Sequence, residues 1–293
     1  MQAVSIRYSS LTTNMSTKKS SNKTKSNQIN VKSDAKTHTD VVKQIQELQA
    51  QQASSNPQPQ GTPFDFTGVH LHIGLPCYGG LLLESTMTSI LKFVLLASKV
   101  GLNWSLDTMA NESLVTRARN NLMAKMRANQ AATHYMFIDS DIRFDAEDIF
   151  KMIATNKDII AGLYPKKAYP IALNLNLNQE TKIQGPLFTV DTVATGFLMY
   201  KRQVYEDLIA AHPNTKYVDD VGLGKQYEPH MYAIFDCVID EAGHYLSEDW
   251  TFCRRAKALG YEIWADSRIK LSHTGTHEFC GDLSLFNPVV KKE

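Results

Sequence analysis

Asp139 and Asp141 stand one residue apart at the end of the apolar run 134–138. Two carboxylates placed where a strand leaves its sheet converge on one point, and they repel unless positive charge lies between them. A divalent cation shared with phosphate oxygens meets that need, and Mg²⁺ and Mn²⁺ take oxygen ligands of this kind. The plain alternative is an acidic turn in which Asp141 helps to cap the next helix. A second acidic pair, Glu248 and Asp249, follows Ser247. Acids in a first turn suit the helix dipole, yet a carboxylate there could also deprotonate an acceptor hydroxyl. His273 lies in Ser272-His273-Thr274-Gly275. Neutral imidazole binds Mn²⁺ and related ions, although a lone histidine is more often structural. Arg117, Arg119, Asn120 and Asn121 lie close together. Arginine forks suit phosphates; at helical spacing Arg117 and Asn121 share one face, and Arg119 points elsewhere. Lys166 and Lys167 follow a fourth apolar run, where they could meet phosphate or simply form a solvated turn.

These residues need a frame, and the hydrophobic pattern supplies one. Residues 1–64 read as a disordered tail with one possible short helix at 40–52, where Val41, Ile45 and Leu48 fall at helical spacing, and a Pro/Gln/Gly linker at 54–63. From residue 65 to 293 the texture is that of a globular domain. Strands are expected at 69–73, 104–107, 134–138 and 158–163, with helices at 81–102, 112–129 and 145–155; Asn111 or Ser113 would cap the second helix. That alternation implies an α/β fold: a central, mostly parallel sheet with helices on both faces. Ligands then bind beyond the carboxyl ends of the strands, at 76–80, 107–111 and 139–141. Further strands are expected at 171–177, 194–200, 231–240 and 261–264, and helices at 203–211 and 247–259.

Composition narrows the classes. Hydrophobic residues make up 43% of 293, enough for a self-sufficient core. The first 60 residues carry 8 Lys/Arg against 3 Asp/Glu and the rest 23 against 27, so a basic arm precedes a mildly acidic body and the balance does not call for nucleic acid. Cys77, Cys237, Cys253 and Cys280 form no C-x-x-C pair, which suggests reduced thiols and a cytoplasmic setting. No run is long and apolar enough for a transmembrane segment. The first 33 residues, acid-free and rich in Ser, Thr and Lys, faintly mimic an organelle transit peptide. With neither G-x-G-x-x-G nor a G-K-S/T loop, a Rossmann dehydrogenase or P-loop phosphotransferase is disfavoured.

From about Val69 to Leu283 the chain resembles the glycosyltransferases of the GT-A fold, most of all a bacterial and viral group related to the inverting, family-two type. The likeness rests on Ile73-Gly74-Leu75-Pro76, Arg117-Ala118-Arg119-Asn120, Phe137-Ile138-Asp139-Ser140-Asp141 and Ala161-Gly162-Leu163-Tyr164-Pro165-Lys166-Lys167. It continues through Thr195-Gly196-Phe197-Leu198-Met199, Ser247-Glu248-Asp249-Trp250 and Leu271-Ser272-His273-Thr274-Gly275. The resemblance implies a D-x-D metal site for Mn²⁺ or Mg²⁺ in which Asp141 binds directly, His273 is the late ligand and Asp139 contacts metal or ribose. It makes Asp249 the base, with Glu248 holding the acceptor or its loop, and Pro76, Tyr78 and Asp107 the lining of the nucleotide pocket. The implied donor is a UDP- or GDP-sugar and the acceptor a glycan, glycoprotein or lipid-linked hydroxyl. Three other classes stay open: a nucleotide- or glycan-binding module without catalysis, a scaffold that assembles through the N-terminal helix, and a sugar nucleotidyltransferase, although Pro76-Cys77-Tyr78-Gly79-Gly80 lacks the basic residue expected of the last.

Overall fold

The computed structural model describes residues 29–30, 43–47, 50, 65–177 and 180–283. The strands that build the site are β1 (His70–Cys77), β2 (Asn103–Ala110), β3 (His134–Ile138), β4 (Ile159–Ala161), β5 (Leu187–Val190), β6 (Phe197–Lys201), β7 (Ile263–Asp266) and β8 (Ser272–Thr274). The helices are α1 (Glu84–Val100), α2 (Val115–Ala128), α3 (Ala146–Ala154), α4 (Arg202–Ala211) and α5 (Glu248–Ala258).

One nine-stranded sheet organises the domain, and β7, β4, β6, β3, β1 and β2 follow one another across it. β1 runs parallel to β2 and β3, and β7 parallel to β4. β6 enters antiparallel between β3 and β4, so β1–β4 and β7 all point one way and β6 against them. Apart from the edge strand β2, whose residues are exposed or half-buried, these strands are buried on both faces, as an α/β sheet requires. Tyr135 and Phe137 of β3 join Leu122, Met123 and Met126 of α2, Val204 and Leu208 of α4 and Phe252 of α5. Met136 and Ile138 join Phe93 of α1 and Ile149 and Met152 of α3 on the other side. Gly74 lets α2 lie close to β1: a Cβ there would sit 3.1 Å from Met126 Cε and 3.2 Å from Phe137 Cε1.

Several boundaries differ from expectation. α1 begins at Glu84 and ends at Val100, capped by Gly101, which adopts φ +74°. β2 runs to Ala110 rather than stopping near Asp107. Neither Asn111 nor Ser113 caps α2. The helix starts at Val115, and the Glu112 carboxylate accepts the Leu114 amide N–H at 3.0 Å. Of 171–177 only Leu175–Asn176 pairs as strand, and of 231–240 only Val238–Ile239. The first 64 residues do not stand wholly apart. Ile29 and Asn30 pair antiparallel with Ile183 and Lys182 at one edge of the sheet. Residues 43–47 are helical, Ile45 is fully buried in the same cluster as α2 and Leu283, and Gln46 Nε2 donates to Leu283 O at 3.4 Å. Val41 and Leu48 of the expected helix, and the linker at 54–63, lie outside the described residues. Among the described residues no helix is long and apolar enough to cross a membrane.

Candidate active site

The carboxyl ends of β1 and β3 open onto a pocket of about 180 Å³. Pro76 and Tyr78 line it from the end of β1; Glu112, Ser113, Val115 and Ala118 line it where α2 begins. Asp139, Ser140, Asp141 and His273 close the far side. The turn after β1 is a short 3₁₀ segment, Tyr78–Gly80, in which Gly79 and Gly80 take positive φ.

A small second sheet brings His273 to Asp141. β8 pairs with Ile142–Arg143, the two residues after Asp141, in a register that sets His273 opposite Ile142. The Thr274 N–H donates to Asp141 O at 2.9 Å. The His273 ring is fixed from behind: Nδ1 lies 2.9 Å from Pro165 O, and Tyr164 meets the ring edge-on at 5.0 Å. With Nδ1–H donating to a carbonyl, Nε2 is left to face Asp141 Oδ1 at 3.4 Å. That oxygen is buried and accepts no well-formed hydrogen bond. Lys167 donates to the other oxygen, Oδ2. Burial would raise the Asp141 pKa, but His273 and Lys167 outweigh it and hold the carboxyl below its ordinary range. A lone pair and a carboxylate oxygen this close repel unless a proton or a metal cation lies between them.

Asp139 is placed differently. Arg119 Nη2 lies 2.9 Å from its Oδ1 and donates to its Oδ2 at 3.2 Å. The same guanidinium reaches Glu248 Oε1 through Nε at 3.4 Å and rests over the Phe137 ring at 5.1 Å. Arg119 is 3% exposed. Burial works against its charge, but Asp139 and Glu248 overcome that and hold its pKa above the ordinary value. One buried cation thus bridges the end of β3 and the start of α5. Asp139 is pinned further by its own N–H, which donates to Gly196 O at 2.8 Å. Gly196 admits no side chain, since a Cβ would collide with the Tyr164 hydroxyl and the Asp139 carboxylate. Burial pushes the Tyr164 hydroxyl well above its ordinary pKa, and that oxygen accepts the Gly196 N–H at 3.0 Å. Asp249 holds the first turn of α5: its Oδ1 accepts from Ser247 Oγ and from the Trp250 N–H at 2.8 Å. Ser247 occupies the N-cap position but makes no side-chain cap bond to the backbone.

Asp139, Asp141, His273, Pro76 and Tyr78 therefore share one pocket, with Glu248 joined to it through Arg119. Four other expected residues do not line it; Asp249, the expected base, sits in the first turn of α5. Asp107 lies three residues inside β2, about 10 Å back along the strand from its carboxyl end. Its carboxylate is engaged by His72 Nε2 at 2.9 Å and Lys125 Nζ at 3.5 Å, and chiefly the His72 bond lowers its pKa. Arg117 is clamped by both Glu112 oxygens, at 2.6 and 2.9 Å. Asn121 accepts the Tyr217 hydroxyl and lines a neighbouring hollow beside Val221–Leu223. Among the described residues no three His, Cys, Asp or Glu side chains form a ready-made ligand set; Asp141 and His273 form a pair. Sequence reasoning passed over Arg119 as a site residue. Its signal was there: Arg119, Leu122, Met123 and Met126 fall at i, i+3, i+4 and i+7, a cation within an apolar stripe, and all four are buried.

No family model matches the chain, and no curated protein matches it. Its fold is similar to the crystal structure of A197 from STIV, with a TM-score of 0.43 and 15% identity over 77% of this chain and 98% of that one. It is also similar to 4-diphosphocytidyl-2C-methyl-D-erythritol synthase from Anaerococcus prevotii, with a TM-score of 0.31 and 7% identity over 67% and 98%. Residues 1–349 of S. aureus TarS give a TM-score of 0.29 and 14% identity over 55% and 54%. Likeness this distant says nothing about the chemistry of this chain.

Proposed function

We propose that the chain is a glycosyltransferase that moves a sugar from a nucleotide-diphosphate donor to a hydroxyl acceptor, using Mn²⁺ or Mg²⁺ held by Asp141 and His273. The carrying observation is the His273 ring, locked by Pro165 O and aimed with Nε2 at a buried carboxylate oxygen that lacks a hydrogen bond. A histidine oriented from behind by a carbonyl beside a carboxylate is a donor pair a divalent cation accepts. Two protein ligands leave room for phosphate oxygens, the usual habit of these ions. When bound, the cation would offset charge growing on the departing diphosphate.

The chain's own residues supply the rest. Lys167, already on Asp141, is a second positive charge within reach of a diphosphate. Asp139, its oxygens drawn to Arg119, serves the donor as a fixed hydrogen-bond acceptor for a sugar or ribose hydroxyl. Tyr78, which lines the pocket with most of its ring in water, covers the nucleotide end. Asp249 keeps Oδ1 anchored at the helix start, leaving Oδ2 to take the acceptor proton. Attack from the side of α5, opposite the diphosphate, would invert the anomeric centre.

The test is a panel of UDP- and GDP-sugars with Mn²⁺ or EDTA, following released nucleoside diphosphate, with calorimetry of nucleotide binding alongside. Mn²⁺-dependent release from one donor is expected. Asp141→Asn and His273→Ala should each weaken Mn²⁺-dependent nucleotide binding at least about tenfold. No release from any donor, together with no Mn²⁺-dependent binding, would sink the proposal.

A further inference from the structure

α1 buries one side and presents an apolar row on the other. Ile90, Phe93 and Ala97 face the core. Met87, Leu91 and Leu95 repeat at i, i+4 and i+8 on the outer face and are 50%, 53% and 73% exposed. A solvated helix face carries polar residues at such positions. Tyr78 and Leu81, in and just after the turn that precedes α1, are 71% and 69% exposed, and Tyr78 lines the pocket. The opposite lip has Leu114 and Val115, also exposed. Nine of the fifteen large apolar side chains exposed among the described residues fall between 78 and 115, five of them on or just before α1, from Tyr78 to Leu95.

Two features choose the occupant. The first is position. Tyr78 and Val115 line the pocket itself, so the apolar surface runs into its mouth. A second protein seated on that surface would cover the entrance, whereas a lipid surface would bring an acceptor headgroup to it. The second is charge. Lys92 and Lys99 are exposed beside Leu91 and Leu95, neither joins an ion pair among the described residues, and Glu84 is the one acid on the helix. Apolar side chains flanked by lysines, with a tyrosine at the rim, suit an anionic bilayer interface.

We propose that the outer face of α1 docks the protein onto an anionic lipid surface and that the acceptor is a lipid-linked hydroxyl held in that surface. The acceptor half rests on the glycosyltransferase reading; the docking half does not. α1 is about 25 Å long, enough to lie along the interface without entering it, and the pocket mouth at its N-terminal end would then face the headgroup layer.

The experiment is flotation of the full chain with phosphatidylcholine vesicles, with and without phosphatidylserine, compared with Leu91→Glu/Leu95→Glu and Lys92→Glu/Lys99→Glu. The wild type should float with phosphatidylserine vesicles and poorly with phosphatidylcholine alone. The leucine variant should lose at least about tenfold in vesicle affinity, because two half-exposed leucines no longer reach the acyl boundary. The lysine variant should lose its preference for phosphatidylserine. Both should keep wild-type donor hydrolysis, since neither touches the pocket. A wild type that stays in the dense fraction, or a leucine variant that floats equally well, overturns the proposal. So does sedimentation of the wild type as a dimer that Leu91→Glu/Leu95→Glu splits, which would assign the face to a second copy. Donor turnover without flotation would refute docking alone; flotation without turnover would refute the transferase reading alone.

Discussion

Replacing Arg119 by Met tests the centre of the site most directly. Met keeps much of the side-chain length and its contact with Phe137, but removes the charge that lies 2.9 Å from Asp139 Oδ1 and 3.4 Å from Glu248 Oε1. Two carboxylates from different elements then face the position the buried guanidinium filled, Glu248 largely buried and Asp139 open on one side to the pocket. Breaking a buried ion pair from one side costs about 3–5 kcal/mol. At about 2–4 °C per kcal/mol for a domain of this size, melting should fall by about 6–20 °C. The shorter contact to Asp139 should carry most of that, so adding Glu248→Gln to Arg119→Met should restore only about 1 kcal/mol. Urea unfolding of the wild type, both single variants and the double variant gives the cycle. If Arg119→Met unfolds within about 1 kcal/mol of the wild type, the guanidinium does not hold these segments together, and its assignment as the bridge between them fails.

Two further predictions concern the frame. Ile45→Ala should destabilise the protein by about 2–5 kcal/mol in the same urea assay, since it empties a fully buried position; a change near zero would return residues 43–47 to an independent tail. His134 is held by burial, and secondarily by Lys201, at a pKa of about 4, against an ordinary value of 6.5. Its folded pKa is depressed, so its contribution is present above about pH 6.5 and is lost as pH falls toward 4, to a limit of about 3 kcal/mol. His134→Gln should flatten the stability difference across that window, and an unchanged slope would refute the assignment.

Much of the frame was legible because burial on both faces leaves continuous apolar runs. β3 was expected at its observed bounds, and α3 and α5 within a residue or two, because Asp145 and Ser247 mark their starts. β2 was read short because its residues alternate between partly and largely exposed at the sheet edge, and Thr108–Ala110 carry no strong apolar signal. That error moved the strand end and misplaced Asp107. The start of α2 was misread for a different reason: no side chain caps the helix, the Glu112 carboxylate holds the turn before it through the Leu114 N–H, and its own partner Arg117 is drawn out of the phosphate role expected of it. Pairing was not legible at all. The apolar stretch that forms β6 was visible, but nothing local says that it enters between β3 and β4 and so delivers Gly196 against Asp139. The carboxylates were found by their spacing. The cation between two of them was passed over because an arginine on a helix reads as solvated until its neighbours are placed.

The contact between residues 46 and 283 also has a consequence in time. A ribosome releases the chain from its N-terminus, yet Ile45 packs in the cluster that includes Leu283, and Gln46 bonds to the Leu283 carbonyl, 237 positions later. The Gln46 bond therefore cannot form until residue 283 has been made, although other members of the Ile45 cluster, such as Leu122 and Met123, emerge much earlier. Contacts of such separation form late and slowly. A nascent chain stalled before residue 283 would lack this tie between residues 43–47 and the far end of the domain, while β1, β2 and β3, which pair over short intervals, can already be in place.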